Sequence, residues 1–210
     1  MLLAEELALI ALDPDSGRHA VGIRDKLNAC LAGLLIVEVK LDDAPDVPIV
    51  KAAAEVLDQA GPKLKSVLSA MNRGLERRIG HGTWDAVVQG LVAGHVVAPA
   101  EGNVRPRHRV LDAARRDEIV ERLRVAAAHD DSMPARTAIV LSMTGPAQLL
   151  ELVAPQRATR KHARRRIDHA LDDTSLGPVA ESVRKVLADA AAVVAVASSV
   201  AIMSATTTSS

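Results

Sequence analysis

The chain has 210 residues, 49% hydrophobic and 25% charged, which supplies one sizeable core and excludes disordered and fibrous classes. Lys plus Arg and Asp plus Glu both total 26, so the net charge is zero and a partner held by bulk charge, such as duplex DNA along the whole surface, is disfavoured. Phe and Tyr are absent and Trp84 is the sole aromatic residue of that kind, which removes the stacking platforms used for single-stranded nucleic acids and the cages used for quaternary cations.

A core of Ala, Val, Leu, Ile and Met packs best between closely approaching helices, so the expected fold class is mainly α. Leu3, Leu7, Ile10 and Ala11 repeat at helical spacing and predict a short amphipathic first helix, stopped by Asp13-Pro-Asp-Ser-Gly17. A second helix from about Gly22 to Leu41 carries Leu27, Cys30, Leu31, Leu34 and Leu35 and is apolar nearly all round at its end, as a central core helix would be. After the acidic loop Asp42 to Pro48, Ile49, Val50, Ala53, Val56 and Leu57 mark a third helix up to the Gly61-Pro62 break. Leu64, Val67, Leu68, Met71 and Leu75 mark a fourth.

Gly80-His-Gly-Thr83 opens a fifth helix with Thr83 as the expected N-cap and Gly94 after its end. The period then changes, and His95 to Ala98, a turn at 99–103, and Val104 to Val110 predict a small wing-like hairpin whose Pro106 confines the second strand to an edge. Further helices are expected from about Asp112 to Ala128, from Pro134 to Thr144, from Pro146 to Val153, from Gln156 to Leu171 and from Pro178 to Ala205. No repeat or linker interrupts them, so the expectation is a single compact domain of about nine helices over 1–205, with the hairpin near 95–110 and a disordered tail at 206–210.

The single cysteine excludes an intrachain disulfide framework and a Cys-rich zinc site, and fits a reducing, cytoplasmic compartment. The first ten residues carry two carboxylates and no basic region, unlike a secretory signal. Ala190 to Met203 is uncharged but only 14 residues long, short of the roughly 20 a membrane span requires. No transmembrane segment is therefore expected.

Searches for a nucleophile elbow, a phosphate loop, a dinucleotide fingerprint and a zinc-protease helix all fail, so no enzyme, cofactor or metal is expected. Cys30, between Leu27 and Leu34, reads as a buried structural thiol, and His129-Asp130-Asp131 as a surface loop lacking a second ligand set. Positive charge is unevenly placed: residues 1–70 are net −4 and residues 71–210 net +4. Arg157 to His169 holds six formal positive charges and one negative, and on a helix Arg157, Arg160, Lys161 and Arg164 form a stripe suited to an anionic surface or to a solvated face. Arg73, Arg77 and Arg78 precede His81 and Trp84, so guanidinium groups, an imidazole and an indole gather at one helix start, where free N–H groups favour an anion. Trp84 reads equally as an interfacial anchor or as a core residue. Arg105, Arg107 and Arg109 on the hairpin extend the basic set.

Three stretches, Leu3 to Gly17, Cys30 to Leu41 and Trp84 to Val97, taken in that order and spacing, resemble the Golgi phosphoprotein 3 family, in particular its short actinobacterial members. The resemblance extends to roughly residue 200 and implies a helical, non-enzymatic, peripheral membrane protein that binds phosphatidylinositol 4-phosphate. The family's headgroup residues, a Trp and three Arg, fall by alignment on Ile23, Ala32, His81 and Trp84, so that set is not carried over. The family's longer hairpin after the second core helix, associated with self-association and membrane insertion, is replaced by Asp42 to Pro48.

The resulting expectation is a cytoplasmic adaptor at the inner membrane face that binds anionic phospholipid headgroups through Arg77, Arg78, His81 and Trp84, with the 157–164 stripe as a broader face. The alternative is a helical regulatory or interaction domain whose partner is a protein or nucleic acid. Neutral charge and the lack of a clear reading helix count against nucleic acid.

Overall fold

A computed structural model describes residues 1–17, 24–41, 44–60, 64–100, 108–129 and 133–172, with the side chains of 64–69 and 171–172 left out. Among the described residues the chain is mainly helical: α1 (Leu3–Ala11), α2 (Arg24–Val39), α3 (Pro48–Ala60), α4 (Leu64–Ile79), α5 (Thr83–Ala93), α6 (Ala113–Ala128), α7 (Ala135–Thr144), α8 (Leu150–Val153) and α9 (Arg157–Asp172). One antiparallel pair, β1 (Val97–Pro99) and β2 (His108–Val110), interrupts them with Val97 opposite Val110. This is the helical architecture with a small hairpin that the side-chain composition calls for.

The first helix departs from expectation. Every residue of α1 except Glu5 is buried, because α2, α5, α6 and α7 all pack against it and leave it no solvent face. α1 is thus the axis of the bundle rather than an amphipathic edge. α2 is a core helix as its sequence predicts, buried at Leu27, at Cys30 and continuously from Leu31 to Glu38.

Two carboxylates hold α1 in place. Glu38 of α2, 0% exposed, accepts the Leu3 N–H through Oε2 at 2.9 Å and the Arg136 Nη2 of α7 through Oε1 at 3.0 Å. Arg136 also donates to the Met1 carbonyl at 3.3 Å. Glu6, on α1 itself, pairs with Arg122 of α6. A buried polar group costs free energy unless it is hydrogen-bonded, so these contacts admit one placement of α1 among its neighbours.

Glycines set two close approaches. Gly74 of α4 is buried against Val56 of α3, where an added Cβ would overlap Val56 Cγ2 and lie 3.1 Å from Cγ1. Gly17, at φ +64°, ends the turn after α1, and its carbonyl accepts the His108 N–H of β2 at 3.1 Å. A Cβ at Gly17 would lie 2.6 Å from the His108 carbonyl oxygen, so the hairpin docks on a backbone surface that requires glycine.

Further along, Asp112 caps α6 through a 2.9 Å bond from Arg115 N–H to its Oδ1, at the boundary the sequence marks. The helix expected from Pro146 to Val153 shrinks to α8, because Gln148 adopts φ +60° and breaks the helical path ahead of Leu150. α9 turns Ala163 and Ile167 inward and packs on α6 and α7. The helix expected over 178–205 and the tail at 206–210 lie outside the described residues, as do residues 101–107, which hold most of the expected turn at 99–103 and Pro106.

Replacing Arg136 by Ala leaves Glu38 buried with one partner and should destabilise the fold by about 2–3 kcal/mol, below the full cost for a buried pair because 37% of the Arg136 side chain is exposed. Glu38→Gln, which retains an acceptor for Leu3, should cost less. Urea denaturation of both variants gives the order, and equal midpoints would remove the network from its structural role.

Candidate functional site

The junction between α4 and α5 is built from side chains that end one helix and start the next. Arg77 and Arg78 occupy the last turn of α4, where cations oppose the negative helix end. Gly80 takes φ +74° and its N–H donates to the Glu76 carbonyl at 3.0 Å, closing the helix. The N-cap of α5 is Gly82, not Thr83. Asn72 of α4 supplies the capping oxygen instead, accepting the Thr83 N–H at 2.8 Å, and a Cβ on Gly82 would lie 2.9 Å from that oxygen.

The four residues expected to form a headgroup site are divided by this geometry. Arg77 and His81 are exposed. Arg78 is 22% exposed and its Nε pairs with Glu55 Oε2 of α3 at 2.8 Å, so its charge is already engaged. Trp84 is 5% exposed within the core, which decides between its two readings: the indole packs between helices and is not an interfacial anchor. Arg73 is exposed on α4 and Arg109 on β2, while Arg105 and Arg107 lie outside the described residues.

The basic segment of α9 is the more open surface. Arg157, Lys161, Arg164 and Arg165 are exposed, and none of them forms an ion pair with another described residue. Arg160 departs from the expected stripe: it bonds the Pro155 carbonyl at 2.6 Å and lies 3.5 Å from Glu151, closing the end of α8. His129 is exposed, and Asp130 and Asp131 lie outside the described residues. Among the described residues no group of three or more His, Cys, Asp or Glu is placed to hold a metal ion. Cys30 is buried, and burial pushes its thiol up to about 12, far from a nucleophile's range.

A cleft of about 440 Å³ opens between the start of α1, the 45–49 segment and α5. Its walls are mainly apolar, with Leu2, Val47, Ile49 and Ile79 on them and His81 and Gln89 as polar members. Glu5 also lines it. One oxygen of Glu5, Oε2, accepts the Leu2 N–H at 2.9 Å, the return half of a capping box. Burial holds the Glu5 carboxyl above its ordinary value of 4.5, against the lowering effects of that hydrogen bond and of the chain's α-amino group, while Glu38 and Glu6 raise it further.

Neither the cleft, with Glu5 on its wall, nor the buried partners of Glu6 and Glu38 followed from residue spacing. The signal was present nonetheless: Glu5, Glu6 and Glu38 sit inside otherwise apolar helical runs, where a carboxylate must either find a partner or face a cavity.

A family model described as Golgi phosphoprotein 3 (GPP34) matches residues 3–190, nearly the whole chain. The chain belongs to the Golgi phosphoprotein 3 family. A search of curated proteins returns no match. Of the positions on which this family's headgroup set falls, Ala32 is 2% exposed and Trp84 is in the core, and Ile23 lies outside the described residues. His81 alone stands at the surface.

Because the folded protein holds the Glu5 proton more tightly than the unfolded chain does, Glu5 makes stability fall as pH rises from 4.5 through its elevated native value. Glu5→Gln removes that dependence. Its stability relative to the parent should rise steadily between about pH 4 and the upper end of that window, and parallel curves for the two proteins would show Glu5 to be ordinary.

Proposed function

We propose that this Golgi phosphoprotein 3 family member is a non-enzymatic, peripheral membrane or adaptor protein that recognises anionic phospholipid headgroups. The observation that carries the reading is the outer side of α9, where Arg157, Lys161, Arg164 and Arg165 project into solvent without ion-pair partners among the described residues. Each Lys or Arg brought to an anionic leaflet contributes about 1 kcal/mol, so four of them on one helix give a usable surface without any deep pocket. Arg77 adds a second exposed cation at the α4–α5 junction, beside the exposed His81.

Peripheral rather than spanning association agrees with the helices: among the described residues, none is long and apolar enough to cross a membrane. Arginine suits the role chemically, since its planar fork bonds two phosphate oxygens at once. The catalytic motifs that a competing enzyme reading requires are missing from the sequence, and its only thiol is sequestered.

Co-flotation with vesicles of neutral lipid, of neutral plus generic anionic lipid, and of neutral plus phosphatidylinositol 4-phosphate tests the proposal at low and physiological salt. Binding to both anionic preparations is expected, with salt sensitivity reporting the electrostatic component. Reversing Arg157, Lys161 and Arg164 together to Glu should reduce binding more than tenfold, and Arg77→Glu should reduce it less. Arg78 is left in place because its pair with Glu55 serves the packing of α3 and α4. A triple variant that floats as well as the parent removes α9 from the site, and a parent that floats with no vesicle turns the search toward a protein partner.

A further inference from the structure

Three carboxylates crowd the start of α1, and they are not equivalent. Glu38 is bonded to Arg136 and Glu6 to Arg122. Glu5 has no such cation: no nitrogen of Lys, Arg or His among the described residues lies within 4.0 Å of it, including that of His81, which shares the cleft wall. Its Oε2 is used by the Leu2 N–H, whereas Oε1 accepts no hydrogen bond from a described residue. That free oxygen lies on the α5 side of the cleft, against Gly90, where an added Cβ would collide with it. Glycine at this point of α5 lets the carboxylate approach the helix closely, and Oε1, without a hydrogen bond from a described residue, is not among the fully buried unpartnered atoms, so part of it faces the cleft.

A chamber of this size falls in the range that encloses a small organic ligand, and its composition specifies the kind. The apolar walls ask for an aliphatic body. The single half-buried carboxyl with an unused oxygen asks for a hydrogen-bond donor, best a cation, since a charge-assisted bond in a partly dry site is about twice as strong as a neutral one. The positive charge that chiefly acts on Glu5 is the α-amino group of Met1, an exposed residue that forms no ion pair with it.

We infer that the cleft between α1, α5 and the 45–49 segment is a binding site for a soluble aliphatic primary amine, with the ammonium on Glu5 Oε1 and the hydrocarbon chain along the walls. This site is separate from the cationic face of α9, and its ligand has the opposite charge. It therefore stands or falls independently of the membrane reading.

Isothermal titration calorimetry at neutral pH with hexylamine, hexanol and hexanoate tests it on the whole protein. The amine should bind saturably and at least tenfold more tightly than the alcohol, with the carboxylate weakest. In Glu5→Gln, which keeps a capping acceptor for Leu2, the amine and alcohol should bind within about twofold of each other. Ala93, an exposed residue of the cleft wall at the end of α5, gives a second variant: Ala93→Trp should fill the chamber and abolish binding of both without changing the melting temperature by more than a few degrees. Equal affinity for the three ligands, an amine preference that persists in Glu5→Gln, or no saturable binding at millimolar amine would each overturn the assignment, and the first and last of these need no variant.

Discussion

The Glu38 carboxylate is the constraint around which the rest of the bundle is arranged. It lies out of water on α2 and satisfies its oxygens with a backbone N–H from α1 and a guanidinium from α7. A carboxylate in that position costs several kcal/mol unless both partners are in place, so three helices must meet at one register or not at all. Glu6 repeats the arrangement on the other side through Arg122, fixing α1 against α6. Hydrophobic burial supplies most of the cohesion of this Ala, Leu and Val core, but it is non-directional and would tolerate α1 sliding by a turn. The carboxylates supply the direction.

Much of this architecture was legible in the sequence, and the exceptions share a cause. Periodicity located α2, α3, α5, α6 and α9 to within a few residues, because each buries one stripe or one continuous apolar run. It located α1 as well but misjudged its exposure, because its two glutamates imitate a polar face although one of them is buried and paired. Local capping rules favoured Thr83, but the donor at that helix start is satisfied from α4 by Asn72, a tertiary contact with no local signature. Gln148 at φ +60° is similarly invisible to propensity, since glutamine has no bias toward that region. Among site residues, Arg77, His81 and most of the α9 stripe were placed correctly at the surface, while Arg78 and Trp84 were drawn inward by Glu55 and by the core. Spacing along one helix shows which residues share a face. It does not show what that face packs against.

The charge distribution follows the same logic at a larger scale. A net charge of zero disguises an uneven distribution, with two carboxylates buried near the bundle axis and a cluster of arginines exposed on α9. Each buried carboxylate takes one arginine with it, Arg136 for Glu38 and Arg122 for Glu6, so the basic face of α9 comes from the uneven placement of charge along the chain. Family membership over residues 3–190 accounts for the helical scaffold, within which Ala32 and Trp84 are core residues.

The contact of Gly74 with Val56 places a condition on how such a scaffold can change. Gly74 cannot be enlarged alone, because the space that a Cβ would need is already filled by a methyl of Val56. Shrinking Val56 first opens that space, after which alanine at 74 becomes acceptable; the reverse order passes through a clash. The α3–α4 seam is therefore an epistatic pair whose substitutions have a permitted sequence in time, and two descendants of this chain could carry the same final residues only by having taken the same route.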